Sequence, residues 1–264
     1  MAGNPPDPRV NPFSLAGKTI LVTGASSGLG RQTAVSCARM GATVVLSARD
    51  EQRLSQTMDM LRQAHPSAAG EAAHKSVRAD LNVVEDMHAL VEQAGKIDGV
   101  FHGAGIRGLA PIKMISRKFL DEVMGTNFHA PMLLTQRLLM KNALRDGGSI
   151  VFMASTAAHR GVHGVGIYSA SKAALIAAVR CLALEQAKRR IRANCLSADL
   201  VETPLLTYGL TEEEGRAWLQ EQRDKHPLGL GTPDDVANAA IYLLSGASRW
   251  VTGTTILMDG GITF

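Results

Sequence analysis

The chain has 264 residues with a formal net charge of +4; 45% are hydrophobic, 20% charged and only 4% aromatic. That length allows one large or two small domains, and the apolar content supports a substantial core. Scarce aromatics and dispersed basic residues argue against a nucleic-acid platform, and 26 glycines without a Gly-X-Y period exclude a collagen-like fibre.

The first 12 residues hold four prolines and no apolar stretch of a secretory signal, so 1–13 reads as a flexible arm. Strand-like runs follow at 18–22, 42–47, 76–79, 98–102, 149–154, 191–196 and 255–258. Helical spacing fills the gaps at 31–40, 51–63, 83–94 and 169–187, and at 117–140 as one long helix or two. Asn82 is placed to cap the helix at 83–94, Thr211 with Glu214 forms a capping box, and Pro233 opens a helix over 234–245. The tightest basic cluster, Lys188, Arg189, Arg190 and Arg192, reads as a solvated helix end. Three cysteines, Cys37, Cys181 and Cys195, show no metal or disulfide spacing and suit a reducing compartment. No run approaches the ~18–20 apolar residues that cross a bilayer, so no membrane partner is expected.

Strands alternating with helices imply parallel pairing through right-handed crossovers. The expected fold is therefore α/β, a Rossmann-type doubly wound parallel sheet of about seven strands in a single domain over 14–264. Such a sheet binds its ligand outside the carboxyl ends of the strands, where the strand order reverses.

The first strand runs into Thr23-Gly24-Ala25-Ser26-Ser27-Gly28-Leu29-Gly30 and then a helix. Glycines at such a turn let the backbone approach a pyrophosphate resting on the helix N-terminus; the same glycines also suit an ordinary tight turn. Gly24, Ser26, Ser27, Gly28, Leu29 and Gly30 are thus candidate cofactor contacts. After the second strand, Ala48 occupies the place of an acidic ribose ligand and Arg49 offers a guanidinium to a 2′-phosphate. That pairing favours NADP(H), with Asp50 free to cap the next helix.

With these motifs in place, the chain resembles the short-chain dehydrogenase/reductase family in its single-domain form, over about residues 15–261. The glycine loop matches that family's Thr-Gly-x3-Gly-x-Gly, and Tyr168-Ser169-Ala170-Ser171-Lys172 matches its Tyr-x3-Lys. Ser155 stands 13 residues before Tyr168, where the family keeps a catalytic serine, and Asn127 fits its fourth catalytic residue. The resemblance also implies adenine contacts at Asp80 and Leu81, with Gly103, Ala104 and Gly105 behind the nicotinamide ribose. It implies further cofactor contacts from Tyr168, Lys172, Val201 and Thr203, and a substrate lid at about 205–227 containing Tyr208 and Trp218. A small-molecule carbonyl or alcohol substrate, a homotetramer or dimer and a cytoplasmic location complete what it implies. Within the family the chain most resembles 3-oxoacyl thioester reductases.

The chemistry follows from the residue types. A tyrosine titrates near ~10, and a lysine one helical turn away favours tyrosinate and lowers that value. Ser155 can donate a hydrogen bond to the substrate oxygen as charge develops there. Two departures from the family pattern stand out. His102-Gly103 replaces Asn-Asn before Ala104-Gly105, and the histidine is either an extra acid-base group or a locally bonded strand end. Ala198-Asp199 replaces the usual Pro-Gly after the sixth strand and adds a charge near the nicotinamide end. Two other readings fit parts of the pattern: a cofactor-binding sensor without turnover, and a nucleotide-sugar epimerase or dehydratase. Met114 and Trp218 are expected in apolar packing, and the histidines show no metal-ligand spacing, His159 and His163 included.

Overall fold

In β1 (Thr19–Thr23) the apolar run Ile20, Leu21 and Val22 is fully buried, which requires cover on both faces of the strand. Ile20 and Val22 belong to one core cluster and Leu21 to the other, because successive side chains leave opposite faces of the sheet. The structure, a computed structural model, describes residues 11–65, 73–203, 206 and 211–263.

Six further strands follow: β2 (Thr43–Ala48), β3 (Lys75–Arg78), β4 (Ile97–His102), β5 (Leu144–Met153), β6 (Arg192–Ala198) and β7 (Thr255–Met258). They form one seven-stranded sheet in the order β3-β2-β1-β4-β5-β6-β7, with every neighbouring pair parallel. The order reverses between β1 and β4, the crevice where a doubly wound sheet takes its ligand.

One face is covered by α1 (Gly28–Arg39), α2 (Glu51–Ala64) and α8 (Pro233–Leu244), through Ala34, Leu54, Leu61 and Ala240. The other is covered by α3 (Val84–Ala94), α5 (Ala130–Met140) and α6 (Gly166–Glu185), through Leu90, Leu134, Leu138 and Val179. Among the described residues two helices lie outside these layers, α4 (Arg117–Met124) and α7 (Glu212–Lys225). The seven strands and the single α/β domain agree with the expectation.

Local chemistry sets several helix starts. Asp50 caps α2 through the Arg53 N–H, and capping boxes open α7 (Thr211 with Glu214) and α8 (Thr232 with Asp235, ahead of Pro233). Asn82 does not cap α3. The cap position is Val83, without a side-chain bond, while the Asn82 amide donates to Asp80 Oδ1 and Thr126 Oγ1, each at 3.3 Å.

The stretch 117–140 divides into α4 and α5 across a π-helical turn at Gly125–His129. The basic cluster is not wholly solvated. Arg192 is buried at the start of β6, its guanidinium donating to Ser248 Oγ at 2.6 Å and Ser245 O at 3.1 Å. Met114, expected in packing, is 69% exposed, whereas Trp218 is half-buried.

Of the expected arm, residues 1–10 lie outside the described residues. Pro12 O accepts from the Ala247 N–H and Phe13 packs on Tyr242, so this end of the arm is tied to the body. Of the expected lid, 204, 205 and 207–210, including Tyr208, lie outside the described residues. Helix α6 is long and apolar enough by length and mean hydropathy (1.5) to span a bilayer, contrary to the expectation from apolar runs. Here it lies on the sheet, with Leu175, Ile176 and Val179 buried in the core.

Candidate active site

At the carboxyl ends of β1 and β4 the chain opens into a cleft of about 430 Å³. Its walls include Gly24, Ser26, Ser27, Gly28, Leu29 and Gly30 from the glycine loop, and Arg49 after β2. Asp80 and Leu81 after β3, Gly103, Ala104 and Gly105 after β4, and Thr203 after β6 complete the expected contacts that the structure gathers here.

The glycines are dictated by backbone approach. A Cβ on Gly30 would lie 2.3 Å from Gly24 O, and one on Gly24 would lie 2.8 Å from Ala104 N. Gly24 and Gly28 also adopt positive φ, 66° and 50°, where a side chain is strained. The loop is anchored from behind: Ala25 N–H donates to Ser47 O at 3.1 Å and Thr57 Oγ1 donates to Ala25 O at 3.0 Å.

Helix α1 has no side-chain cap at Ser27 and no acidic residue in its first turn, so its leading N–H groups and positive dipole end face the cleft unopposed. Thr203 stands across from them, its Cγ2 3.6 Å from where a Gly28 Cβ would be. This cradle fits a dinucleotide pyrophosphate. At the end beside β2, Ala48, Arg49, Asp50 and Arg53 line the cleft; Arg53, missed in the sequence, is partnered by Asp50 at 3.3 Å, both side chains exposed. Its i+4 spacing from Arg49 was the signal that could have found it.

The four expected catalytic residues come together beyond Gly105. Ser155 follows β5 and caps a short 3₁₀ turn, with its Oγ also within hydrogen-bonding reach of Tyr168. Tyr168 and Lys172 share one face of α6; the lysine Nζ is 5.8 Å from the tyrosine ring centre and donates to Met153 O at 2.7 Å. Asn127 is buried in the π turn, its Oδ1 accepting from Ile106 N–H at 2.8 Å. Its Nδ2 donates to Ile106 O at 3.0 Å and to Ser171 Oγ at 3.2 Å. Such insertions recur where a helix must turn a side chain into a site. A Cβ on Gly105 would sit 3.2 Å from Asn127 Oδ1 and 3.5 Å from Lys172 Nζ, so this glycine leaves room for the two polar groups behind the cleft wall. Val201 stands apart. It is buried and bridges Gly231 in a parallel β-bridge rather than lining the cleft.

The electrostatics differ from the sequence expectation. Burial raises the Tyr168 phenol above its usual value, opposed by the Ser155 hydrogen bond and the Arg107 charge and reinforced by Asp199. Lys172, with Nζ 5.8 Å from the ring centre, does not overcome this burial. Burial in turn pushes Lys172 down to about 8. Arg107 was missed, and its position two residues after Gly105 was the available signal.

His102 is not an acid-base group. It is 3% exposed, stacks on Phe152 at 4.5 Å and sits 2.9 Å from Thr135 Oγ1. Because Thr135 Oγ1 already donates to Pro131 O, the histidine Nε2–H is the donor. Burial pushes the ring down to about 3 from the usual 6.5, so it is neutral in the fold. Between those two values only the unfolded chain takes up the proton, and His102 therefore withdraws stability as pH falls through that window. Unfolding free energies of His102→Asn, measured in urea across about pH 6 to 4, are expected to fall less steeply than wild type, by roughly 1 kcal/mol per pH unit. An unchanged slope would mean a ring already charged in the fold.

A family model described as Enoyl-(Acyl carrier protein) reductase matches residues 24–263. Gluconate 5-dehydrogenase of Gluconobacter oxydans is 31% identical over 95% of this chain and 96% of its own length. The 3-oxoacyl-[acyl-carrier-protein] reductase of Chlamydia pneumoniae is also 31% identical, over 96% of this chain and 99% of its own. A solved 7α-hydroxysteroid dehydrogenase, complexed with NADH and 7-oxo glycochenodeoxycholic acid, superposes with a TM-score of 0.84 at 28% identity, covering 95% of this chain and 96% of that one. Sequence, fold and the cleft at the switch point agree: the chain belongs to the short-chain dehydrogenase/reductase family of oxidoreductases.

Proposed function

We propose that the chain is an NADP(H)-dependent oxidoreductase that interconverts a ketone and a secondary alcohol, with Tyr168 as acid/base. The observation that carries this reading is the convergence of Ser155, Tyr168 and Lys172 beside the dinucleotide-shaped cleft.

A nicotinamide cofactor, when bound, supplies or takes up the hydride. The chain's own residues handle the oxygen and its proton. Ser155 Oγ orients the carbonyl oxygen and donates to it as negative charge builds. Tyr168 Oη then gives that oxygen its proton, or takes it in the reverse direction. Burial keeps the phenol protonated at rest, the form that reduction requires. Lys172, held by Met153 O and brought down to about 8, can shed or regain a proton near neutrality and so recharge the tyrosine. Asn127 holds the Ile106 loop against α6 and keeps this constellation in register.

NADP(H) is favoured over NAD(H) because Ala48 places no carboxylate at the ribose, while Arg49 and Arg53 line that end. Arg49→Ala is expected to raise the KM for NADPH about tenfold or more, the worth of a charge-assisted contact, and to leave that for NADH nearly unchanged. A wild-type preference for NADH overturns the assignment.

A 3-oxoacyl thioester is the proposed substrate class, on the similarity to the Chlamydia reductase. Exposed Leu109, Ile112 and Met114 beyond the site suit an acyl chain. Leu133 and Met140 on α5 and Leu184 on α6 are also exposed, and a homodimer or homotetramer would cover them. Free Cys37, Cys181 and Cys195 are in keeping with the reducing cytoplasm. The test is consumption of NADPH by the purified protein across a panel of ketones and acyl thioesters. No turnover on the whole panel sinks the proposal.

A further inference from the structure

The Ala198-Asp199 pair that replaces Pro-Gly does more than relax a turn. The Asp199 N–H continues the sheet by donating to Met258 O at 2.9 Å, and its side chain is only 7% exposed. Arg160, from the segment between Ser155 and Tyr168, donates to Asp199 Oδ2 at 2.6 Å. From the other side His226, at the C-terminal end of α7, brings Nε2 to 3.8 Å of the same oxygen. The His226 ring is fixed by Nδ1 at 2.6 Å from Gln222 O, and its buried Nε2 has no hydrogen-bond partner among the described residues. A buried carboxylate thus ties the end of β6 to the approach to Tyr168, with the last turn of α7 beside it. An uncompensated carboxylate in this position would be costly, and the Arg160 guanidinium is what allows it.

We propose that Asp199 is a positioning residue for the Tyr168 site: its carboxylate clamps the Arg160 segment onto β6 and sets the charge that the phenol meets. The inference rests on the reading of Tyr168 as the acid/base and deepens it. The other charged and titratable groups around the cluster are accounted for. His159 Nε2 is 2.9 Å from Ser197 Oγ, and Asp259 is held by its own loop through the Gly261 and Thr263 N–H groups. Arg223 pairs with Glu202, Lys225 pairs with Glu221, and Lys172 donates to Met153 O. Arg107 faces the phenol with a charge opposite to that of Asp199.

The two halves of the ion pair predict opposite effects, which a merely structural contact does not. Asp199→Asn removes the negative charge and leaves Arg160 unbalanced, so the pH midpoint for alcohol oxidation moves down. Arg160→Gln leaves the carboxylate unbalanced, so the midpoint moves up. Each shift is expected at about half a pH unit or more, and Asp199→Glu, which keeps the charge, restores most of it.

The same midpoints are read without turnover by ultraviolet titration of tyrosinate, taking the difference from Tyr168→Phe to isolate this phenol. Failure of every substrate would refute the proposed activity and leave the titration to decide on Asp199. Midpoints that stay put in both variants, with only melting temperature lowered, overturn the positioning role. Should Asp199→Asn not fold, Arg160→Gln alone decides by the sign of its shift.

Discussion

Tyr168→Phe is expected to lower turnover by about 10²–10⁴-fold, the usual worth of a positioned general acid, while NADPH still binds. The substitution removes one oxygen and its hydrogen bond with Ser155 and keeps the ring, so the protein should fold with stability within about 1 kcal/mol of wild type. Burial disfavours only the charged form of the phenol, and the group is protonated in both the folded and the unfolded chain near neutral pH, so its loss changes no charge term there. Other proton donors are poor substitutes. His102 is neutral, buried and engaged with Thr135, and Lys172 reaches the substrate oxygen only through the phenol hydroxyl that the substitution removes. Steady-state rates with NADPH and the best ketone, paired with cofactor titration by fluorescence, give the measurement. Turnover within about threefold of wild type would remove Tyr168 from the chemistry.

What could be read in the sequence was local. The alternation of apolar runs and helical spacing records the two faces of one sheet, hence the agreement at β1, β2 and β4. The glycine loop was legible because a backbone-to-backbone approach leaves glycine no substitute, and Tyr168 with Lys172 because i+4 spacing places both on one helix face. What escaped depends on distant partners. The π turn follows from Asn127 reaching back to both backbone groups of Ile106. Arg192 looked solvated until Ser245 and Ser248 arrived from more than fifty residues away.

The polarity of the tyrosine escaped for a related reason. Spacing shows that Lys172 is near but not that it is turned to Met153 O, and burial, which dominates the phenol, is a property of the assembled fold. Arg160 and Asp199 are 39 residues apart and meet only when β5 and β6 pair. The substitution of Pro-Gly was visible at once; its partners were not.

The second large effect is expected from Gly30→Ala. The new methyl would sit 2.3 Å from Gly24 O, 2.6 Å from Gly24 C and 3.0 Å from Thr23 O, all backbone atoms that cannot rotate away. Either the glycine loop lifts off β1 or the first turn of α1 retreats, and both move the N–H groups that would receive a pyrophosphate. Forcing a methyl into packed backbone costs about 1–3 kcal/mol or more, which for a domain of this size lowers the melting temperature by roughly 5 °C. Cofactor affinity should fall at least about tenfold in addition, since each misplaced phosphate contact is worth about 1.4 kcal/mol or more. Gly161→Ala is the matched control: it has nothing within 4 Å and no positive φ, and should be nearly neutral in both readouts. If Gly30→Ala binds NADPH as tightly as Gly161→Ala does, the cleft at the β1–β4 switch point is not where the dinucleotide lies.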